Sequence, residues 1–465
     1  MSKLSLTGDP FVDMGGLVME TLPEKTIEDK IHFATEVYVD GWKGKVDSIF
    51  LLSKLNNNQV KNKPDRQREG TLEYYLGALK GDGAISEGPC RICAVKGHLF
   101  KGGRNNYPLV GSGGFTNFHH FQEPGLLICK DCLIKLFFLP LGVLQSAGNL
   151  ILLQVLNKYE KELWREDVIS TNLDKRSRGS SEGFLKSNYT NPQNALFYFA
   201  SKLITRFEIH DLPPQQVRLF FFTNFGSKPD IEIHDLPSPV FSFLKRVLKP
   251  HLRPHWSYFI KRHYQFRKSI HFDDDQNEWI EVKKKSAISL DINKYASTNK
   301  NTIHYLLLSG KSIIGHLRKI YKQEEFPVYI AIAYLKEVRK MKQEQINLIE
   351  KIAEKIIILS ENEKNYKKYI TPIEGAKYSH QLRNAIIRMV KEHYKNGEQE
   401  PFIRFNDYVE YLFPDGQSWY EVRDFLLICL YEKLHELRIE PDKISDEAIA
   451  DVEETCNHSI DDFNL

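Results

Sequence analysis

The sequence predicts a multidomain α+β protein: an N-terminal α/β part that carries a four-cysteine, zinc-ribbon-like insertion, followed by a C-terminal α-helical bundle. Three observations carry that expectation. Two Cys-x-x-Cys pairs, Cys90-Arg-Ile-Cys93 and Cys129-Lys-Asp-Cys132, stand 35 residues apart. Val217, Leu219 and Phe221 alternate as a strand does, within Gln215 to Phe225. From residue 329 onward apolar residues recur at helical spacing instead. A chain of 465 residues is longer than one hydrophobic core organises. The expected division is residues 1–328, with the insertion at about 85–140, and residues 329–465.

Taken in order, Thr7-Gly-Asp-Pro-Phe-Val-Asp-Met-Gly-Gly16 reads as a turn leading into a helix. Glu28 to Val39 has helical spacing, Ser48 to Leu52 is strand-like, and Asn56 to Gly70 is a polar, basic loop or boundary. A helix is expected around Leu72 to Leu79. Leu133 to Leu156 is the longest apolar stretch, and its length alone permits a membrane span. Pro140 and Gln145-Ser-Ala-Gly-Asn149 interrupt it, so one or two buried helices behind the cysteines are expected, with no membrane insertion. Thr171 to Asn194 reads as a polar loop. Ile-His-Asp-Leu-Pro occurs at 209–213 and 233–237, each copy ending a strand at proline. Two copies fall short of a repeat architecture. In the last third, Ile346, Ile349, Ile352, Ile356 and Leu359 form one stripe, and Leu382, Ile386, Met389 and Val390 another. Ser418 with Glu421 reads as a capping box.

The cysteine spacing carries the most specific chemistry. A two-residue gap lets both thiolates of one turn reach the same ion, and two such turns complete a tetrahedral four-thiolate shell, the usual closed site of a structural Zn²⁺. Two disulfides or four ordinary cysteines are the alternatives. Nothing near Met1 reads as secretory, so a reducing, cytoplasmic setting is expected. Composition (42% apolar, 12% aromatic) is that of a soluble globular protein.

The formal charge of +3 hides an asymmetry. From Met341 on there are 16 Lys and Arg against 25 Asp and Glu, a net of −9, which leaves 48 against 36 before it, a net of +12. The last 24 residues form an acidic tail. Phe241 to Ile270 contains no Asp or Glu but holds Lys245, Arg246, Lys249, Arg253, Lys261, Arg262, Arg267 and Lys268, with Trp256 and other aromatics interleaved. Cations neutralise phosphates and rings stack on unpaired bases, so this stretch is the first candidate for nucleic-acid contact. A solvated basic helix with core-facing aromatics is the competing reading. In the insertion, Lys101, Arg104, Asn105 and Asn106 sit among glycines, where backbone can approach a duplex and side chains can reach phosphates or base edges. Gly111-Ser-Gly-Gly114 lacks the Gly-Lys-Ser/Thr ending of a phosphate loop. No catalytic residue is assigned. His119-His120 with Asp273 to Asp275 leaves a zinc-dependent HNH-like nuclease as one alternative, and a zinc-ribbon protein scaffold is another.

Three stretches occur in a telling order: Gly-Asp-Pro-Phe-Val-Asp-Met-Gly near the start, the paired Cys-x-x-Cys, and Phe222-Thr-Asn-Phe-Gly-Ser-Lys-Pro-Asp-Ile-Glu-Ile233. Together they resemble the CXXC–CXXC family, the large subunit of type I-B CRISPR Cascade, over roughly the first 250 residues. The resemblance implies a non-enzymatic subunit of an RNA-guided surveillance complex. Such a subunit sits near the 5′ end of the guide crRNA and recognises the target-flanking motif (PAM) on double-stranded DNA. It helps open the duplex and receives a separate helicase-nuclease, while guide pairing reads the sequence. Its other partners would be the backbone, small and guide-end-binding subunits of Cascade. The zinc ligands carry over to Cys90, Cys93, Cys129 and Cys132. Some type I-B systems make a small subunit by internal translation, and Met341 precedes the clearest bundle helices.

Overall fold

The computed structural model describes residues 6–110, 125–177, 183–207, 213–224, 230–283, 286–395, 397, 400–413 and 418–441. The chain is the expected α+β protein with a four-cysteine insertion and a helical C-terminal region. It divides into two compact units: residues 1–238, 265–271 and 278–300, and residues 239–264, 272–277 and 301–465. The expected boundary after 328 therefore differs from the observed one. The helices Ser238–Val247 and Arg253–Arg262 belong with the helical unit because Phe243 packs edge-on against both Trp256 (5.1 Å) and Tyr334 (5.7 Å).

In the first unit, Asp9 caps the helix Pro10–Thr21 by accepting from the Phe11 and Val12 N–H groups, with Pro10 pre-set at the first helical position. Asp13 turns back to accept from the Thr7 N–H (2.7 Å), the Thr7 hydroxyl (2.8 Å) and the Gly8 N–H (3.0 Å), fixing the turn before the helix. This helix lies against Lys130–Phe138 so closely that a Cβ at Gly15 would stand 1.9 Å from the Lys135 carbonyl oxygen. Side chains meet three of the buried carbonyls beyond that contact: Tyr38 donates to Phe137 (2.9 Å), Trp164 to Gly142 (2.7 Å) and Asn172 to Leu141 (2.9 Å).

The unit's main sheet has five strands in the order Leu185–Lys186, Leu144–Ser146, Asn149–Leu153, Val217–Thr223, Asp230–Leu236. The expectation of one or two buried helices over Leu133 to Leu156 holds for its first part only. Only Lys130–Phe138 and a short 3₁₀ turn are helical, and the remainder is a hairpin turned at Ala147 (φ 50°) and Gly148 (φ 120°). Two positive φ angles in a two-residue loop match the twist of paired strands. Ser48 to Leu52 is likewise turn rather than strand, because Leu52 sits at φ 59° and breaks the extension. The helix expected at Leu72 to Leu79 begins earlier, at Pro64. The second copy of Ile-His-Asp-Leu-Pro does end a strand at its proline, while most of the first lies outside the described residues.

The helical unit is built around Trp419–Glu436. Val422 and the whole run Asp424 to Tyr431 are buried, and a helix apolar nearly all round is a central one. The predicted stripe of Gln343–Asn362 is buried, and that of Ser379–Lys395 is buried at Leu382, Ile386 and Met389. The capping box does not form: Ser418 occupies the N-cap without a side-chain bond, and Glu421 pairs instead with Arg339 at 2.5 Å. No described helix is long and apolar enough to cross a membrane. The acidic tail beyond 441 and His119-His120 lie outside the described residues.

Candidate metal centre and polyanion surface

The insertion is a three-stranded antiparallel sheet, Ser86–Pro89, Lys96–Gly102 and Leu126–Cys129, with Leu99 facing Cys129 in register. Each cysteine pair falls where the sheet runs out. Cys90 follows the first strand, and its turn closes through Ala94 N–H to Cys90 O (3.0 Å) and Cys90 N–H to Val95 O (2.9 Å), with Ala94 at φ 60°. Cys129 ends the third strand and occupies the N-cap of Lys130–Phe138, so Cys132 lies in that helix's first turn. The N–H of Arg91 donates to Leu127 O (3.0 Å), locking the first turn onto the third strand.

The four sulfurs gather within 4.8 Å of one another, with Cys90 to Cys132 at 3.8 Å and Cys93 to Cys129 at 3.5 Å. Four thiolates about 2.3 Å from a shared tetrahedral ion lie about 3.8 Å apart, so the cluster has the size of a metal shell. No disulfide joins these residues in the structure: Cys90 and Cys132, and Cys93 and Cys129, stand beyond the about 2.05 Å of an S–S bond. Two features favour anionic sulfur. The Ile92 N–H points at Cys90 Sγ (3.4 Å), and the positive end of the helix Lys130–Phe138 faces the second pair. Hydrogen bonds from Cys129 and Cys132 hold the Cys90 thiol far below its ordinary range, while Cys132, faced by Cys129 and Cys90, is pushed far above. Four thiolates without a cation would repel one another, so the donor set fits a bound metal ion. Among the described residues this is the one group of three or more His, Cys, Asp or Glu whose ligand atoms gather this closely.

The stretches that carry the family resemblance meet beside this ribbon. Tyr107, from the insertion, donates its hydroxyl to Asp9, and Phe11 packs edge-on against Phe222 at 4.9 Å. Asn224 joins the rest: it donates to Ile49 O (2.7 Å), accepts from the Leu109 N–H (3.2 Å), and its carbonyl accepts from Arg104 Nη2 (3.0 Å). Burial pushes the Asp9 carboxyl up and the Tyr107 hydroxyl well up. Sequence reading missed Asn224 and Asp9 as positioning residues, although both stand inside the quoted stretches.

The insertion's nucleic-acid candidates divide accordingly. Lys101 and Asn105 are exposed. Arg104 reaches inward to Asn224, and Asn106 is buried, donating to Tyr74 (2.9 Å) and Lys101 O (3.0 Å) and accepting from the Gly103 N–H (2.8 Å). Both side chains hold the loop to its surroundings.

The segment 241–270 divides too. Phe243, Trp256 and Phe259 are core residues, which removes Trp256 as a stacking platform. Arg262 bonds Glu324 (2.8 Å) and Asp274 (3.2 Å) beneath the Tyr258 and Phe272 rings, Arg246 pairs with Glu337 (3.2 Å), and Lys261 donates to Asn277 O. Lys245 is half-buried, and its ammonium is pushed below the usual range by that burial. Lys249 and Arg253 in the helical unit, and Arg267 and Lys268 in the first, make no ion pair among the described residues. Of Asp273 to Asp275, Asp273 accepts from the Gln276 N–H (2.9 Å) and Asp274 pairs with Arg262, the behaviour of a turn between strands. His263 and His316 pack ring to ring at 5.1 Å, and burial pulls the His263 imidazole down to about 4. No family model matches the chain, and no curated protein matches it.

Proposed function

We propose that the chain is a non-catalytic, zinc-stabilised large subunit of an RNA-guided Cascade complex of type I-B kind. It would bind crRNA and target duplex, recognise the flanking motif, and support recruitment of a separate helicase-nuclease. One observation carries the reading: the first and third stretches that resemble the CXXC–CXXC family pack together through Phe11–Phe222, and each also holds the segment between the cysteine pairs, through Asp9–Tyr107 and Asn224–Arg104. The ion would be Zn²⁺, by the preference of four thiolates for a closed tetrahedral site, and it would hold the ribbon without doing chemistry. Lys101, Lys249, Arg253, Arg267 and Lys268, which make no ion pair among the described residues, are the residues offered to phosphates. The test is target-duplex binding by complexes assembled with and without this chain, over a randomised flanking sequence. Binding confined to a few flanking motifs, and only with the chain present, is expected. Motif-independent binding with or without it refutes the proposal. Cleavage of a substrate by the purified chain, abolished by His119→Ala, would favour the nuclease instead.

A further inference from the structure

A cavity of about 270 Å³ lies between the turns around Phe50 to Asn57, the helix Pro64–Lys80 and the loop at Asn105. Three features distinguish it from a packing void. Thr71, in its wall, is wholly buried, and its Oγ1 has no hydrogen-bond partner. A buried hydroxyl left unmet is a cost that an incoming polar group removes. Leu52, also lining it, is 62% exposed and held at φ 59°, a left-handed backbone that a leucine adopts only under constraint. The constraint is visible: the neighbouring Leu51 N–H donates to Arg104 O at 2.7 Å. Lys54, in the wall as well, lies along the helix with its Cδ 3.9 Å from where a Cβ of Gly70 would stand, one turn from Arg66. Neither Lys54, Arg66 nor the nearby Lys61 makes an ion pair among the described residues.

We propose that this cavity receives a single unstacked nucleobase, with Leu52 as an apolar wedge at its mouth and Lys54 and Arg66 toward the adjoining phosphates. Its volume is below the about 300 Å³ at which pockets for drug-sized ligands begin, which limits the occupant to one ring system. Its lining residues include the aromatic Phe50 and Tyr74 and the polar Thr71 and Asn105. Residues of these two kinds hold a base outside its stack, by its face and by its edge. Apolar side chains beside such pockets separate neighbouring bases. The inference rests on the reading that the chain binds nucleic acid, and names where one nucleotide of it is gripped.

The experiment uses the purified full chain and a short strand of abasic sugars carrying one 2-aminopurine, against the same strand wholly abasic. The phosphates are identical, so any difference belongs to the base. Stacking predicts that the single-base strand binds about 5- to 150-fold tighter, with a change in 2-aminopurine fluorescence. Thr71→Val keeps the shape but removes the hydroxyl, and should weaken binding about 2- to 10-fold while thermal stability holds or rises. Leu52→Gly relieves the left-handed backbone, so it should fold as well as the parent yet bind the single-base strand less tightly. Equal binding of the two strands, binding of neither, or parent-like binding by both variants overturns the proposal. If that happens while the complex still carries guide RNA, the cavity inference falls alone.

Discussion

Replacing Gly15 by alanine would place a methyl carbon 1.9 Å from the Lys135 carbonyl oxygen and 2.6 Å from its carbonyl carbon. Both are backbone atoms of the helix Lys130–Phe138, so no side chain can swing aside to make room. The two helices must separate by more than 1 Å to reach an ordinary contact near 3.4 Å. Alanine gains about 1 kcal/mol over glycine in helix propensity. Overpacking of this kind costs about 1–3 kcal/mol and more when backbone has to move, so a net loss of about 2 kcal/mol is expected. The displaced helix also starts at Cys129 and carries Cys132, so the metal cluster should open with it. Two assays follow: thermal unfolding, with a fall of several degrees expected, and the rate at which a chelator strips the metal, which should rise. Gly97→Ala is the control, because nothing lies within 4 Å of its Cβ position. If Gly15→Ala unfolds at the parent's temperature and keeps its metal as long, the helix contact does not brace the cluster.

Other expectations can be checked alongside. Cys93→Ala should abolish stoichiometric zinc measured by atomic emission and increase proteolysis of the insertion, since the metal's binding energy is the ribbon's folding energy. Trp256→Ala should cost about 3–5 kcal/mol in denaturant unfolding because Trp256 is a core ring; loss of nucleic-acid binding without loss of stability would restore it as a stacking residue. Replacing Arg267 and Lys268 by glutamine should leave stability alone and reduce the salt slope of duplex binding by about 0.9 per lost phosphate contact. Glu160, which caps Lys158–Trp164, is pushed up to about 7 by burial. Its protonated form therefore contributes stability that is complete below about 4.5 and is lost as pH rises through about 7. Glu160→Gln keeps an acceptor for the Leu156 and Asn157 N–H groups, so it should match the parent in acid and exceed it by about 1–3 kcal/mol at pH 8; the reverse ordering would contradict the burial argument.

The metal ligands were legible because a two-residue gap between cysteines constrains where both sulfurs point, whatever the rest of the chain does. The helical stripes of the last third were legible for a similar reason, since period alone decides which face is buried. Leu133 to Leu156 was not: its apolar runs have no period, and the interruption at Gln145 to Asn149 reads equally as a break between helices or as the Ala147-Gly148 turn between two strands. Composition misled at 241–270, where the absence of carboxylates drew attention away from the helical interval between Trp256 and Phe259, the mark of a core face. The acids that neutralise Arg246 and Arg262, Glu337 and Glu324, come from elsewhere in the chain and could not be seen locally. Asp9, Asn224 and Thr71 share that difficulty. Their roles are set by partners about 100 residues away, or by the partner that Thr71 lacks.

The most direct test of the functional reading is to express the tagged chain with its gene neighbours, purify it under native conditions, and sequence the nucleic acid that accompanies it. The account predicts one short RNA species with repeat-derived ends, in a complex of several proteins. A lone protein without RNA, or with random fragments, would contradict it and leave only the four-cysteine ribbon standing.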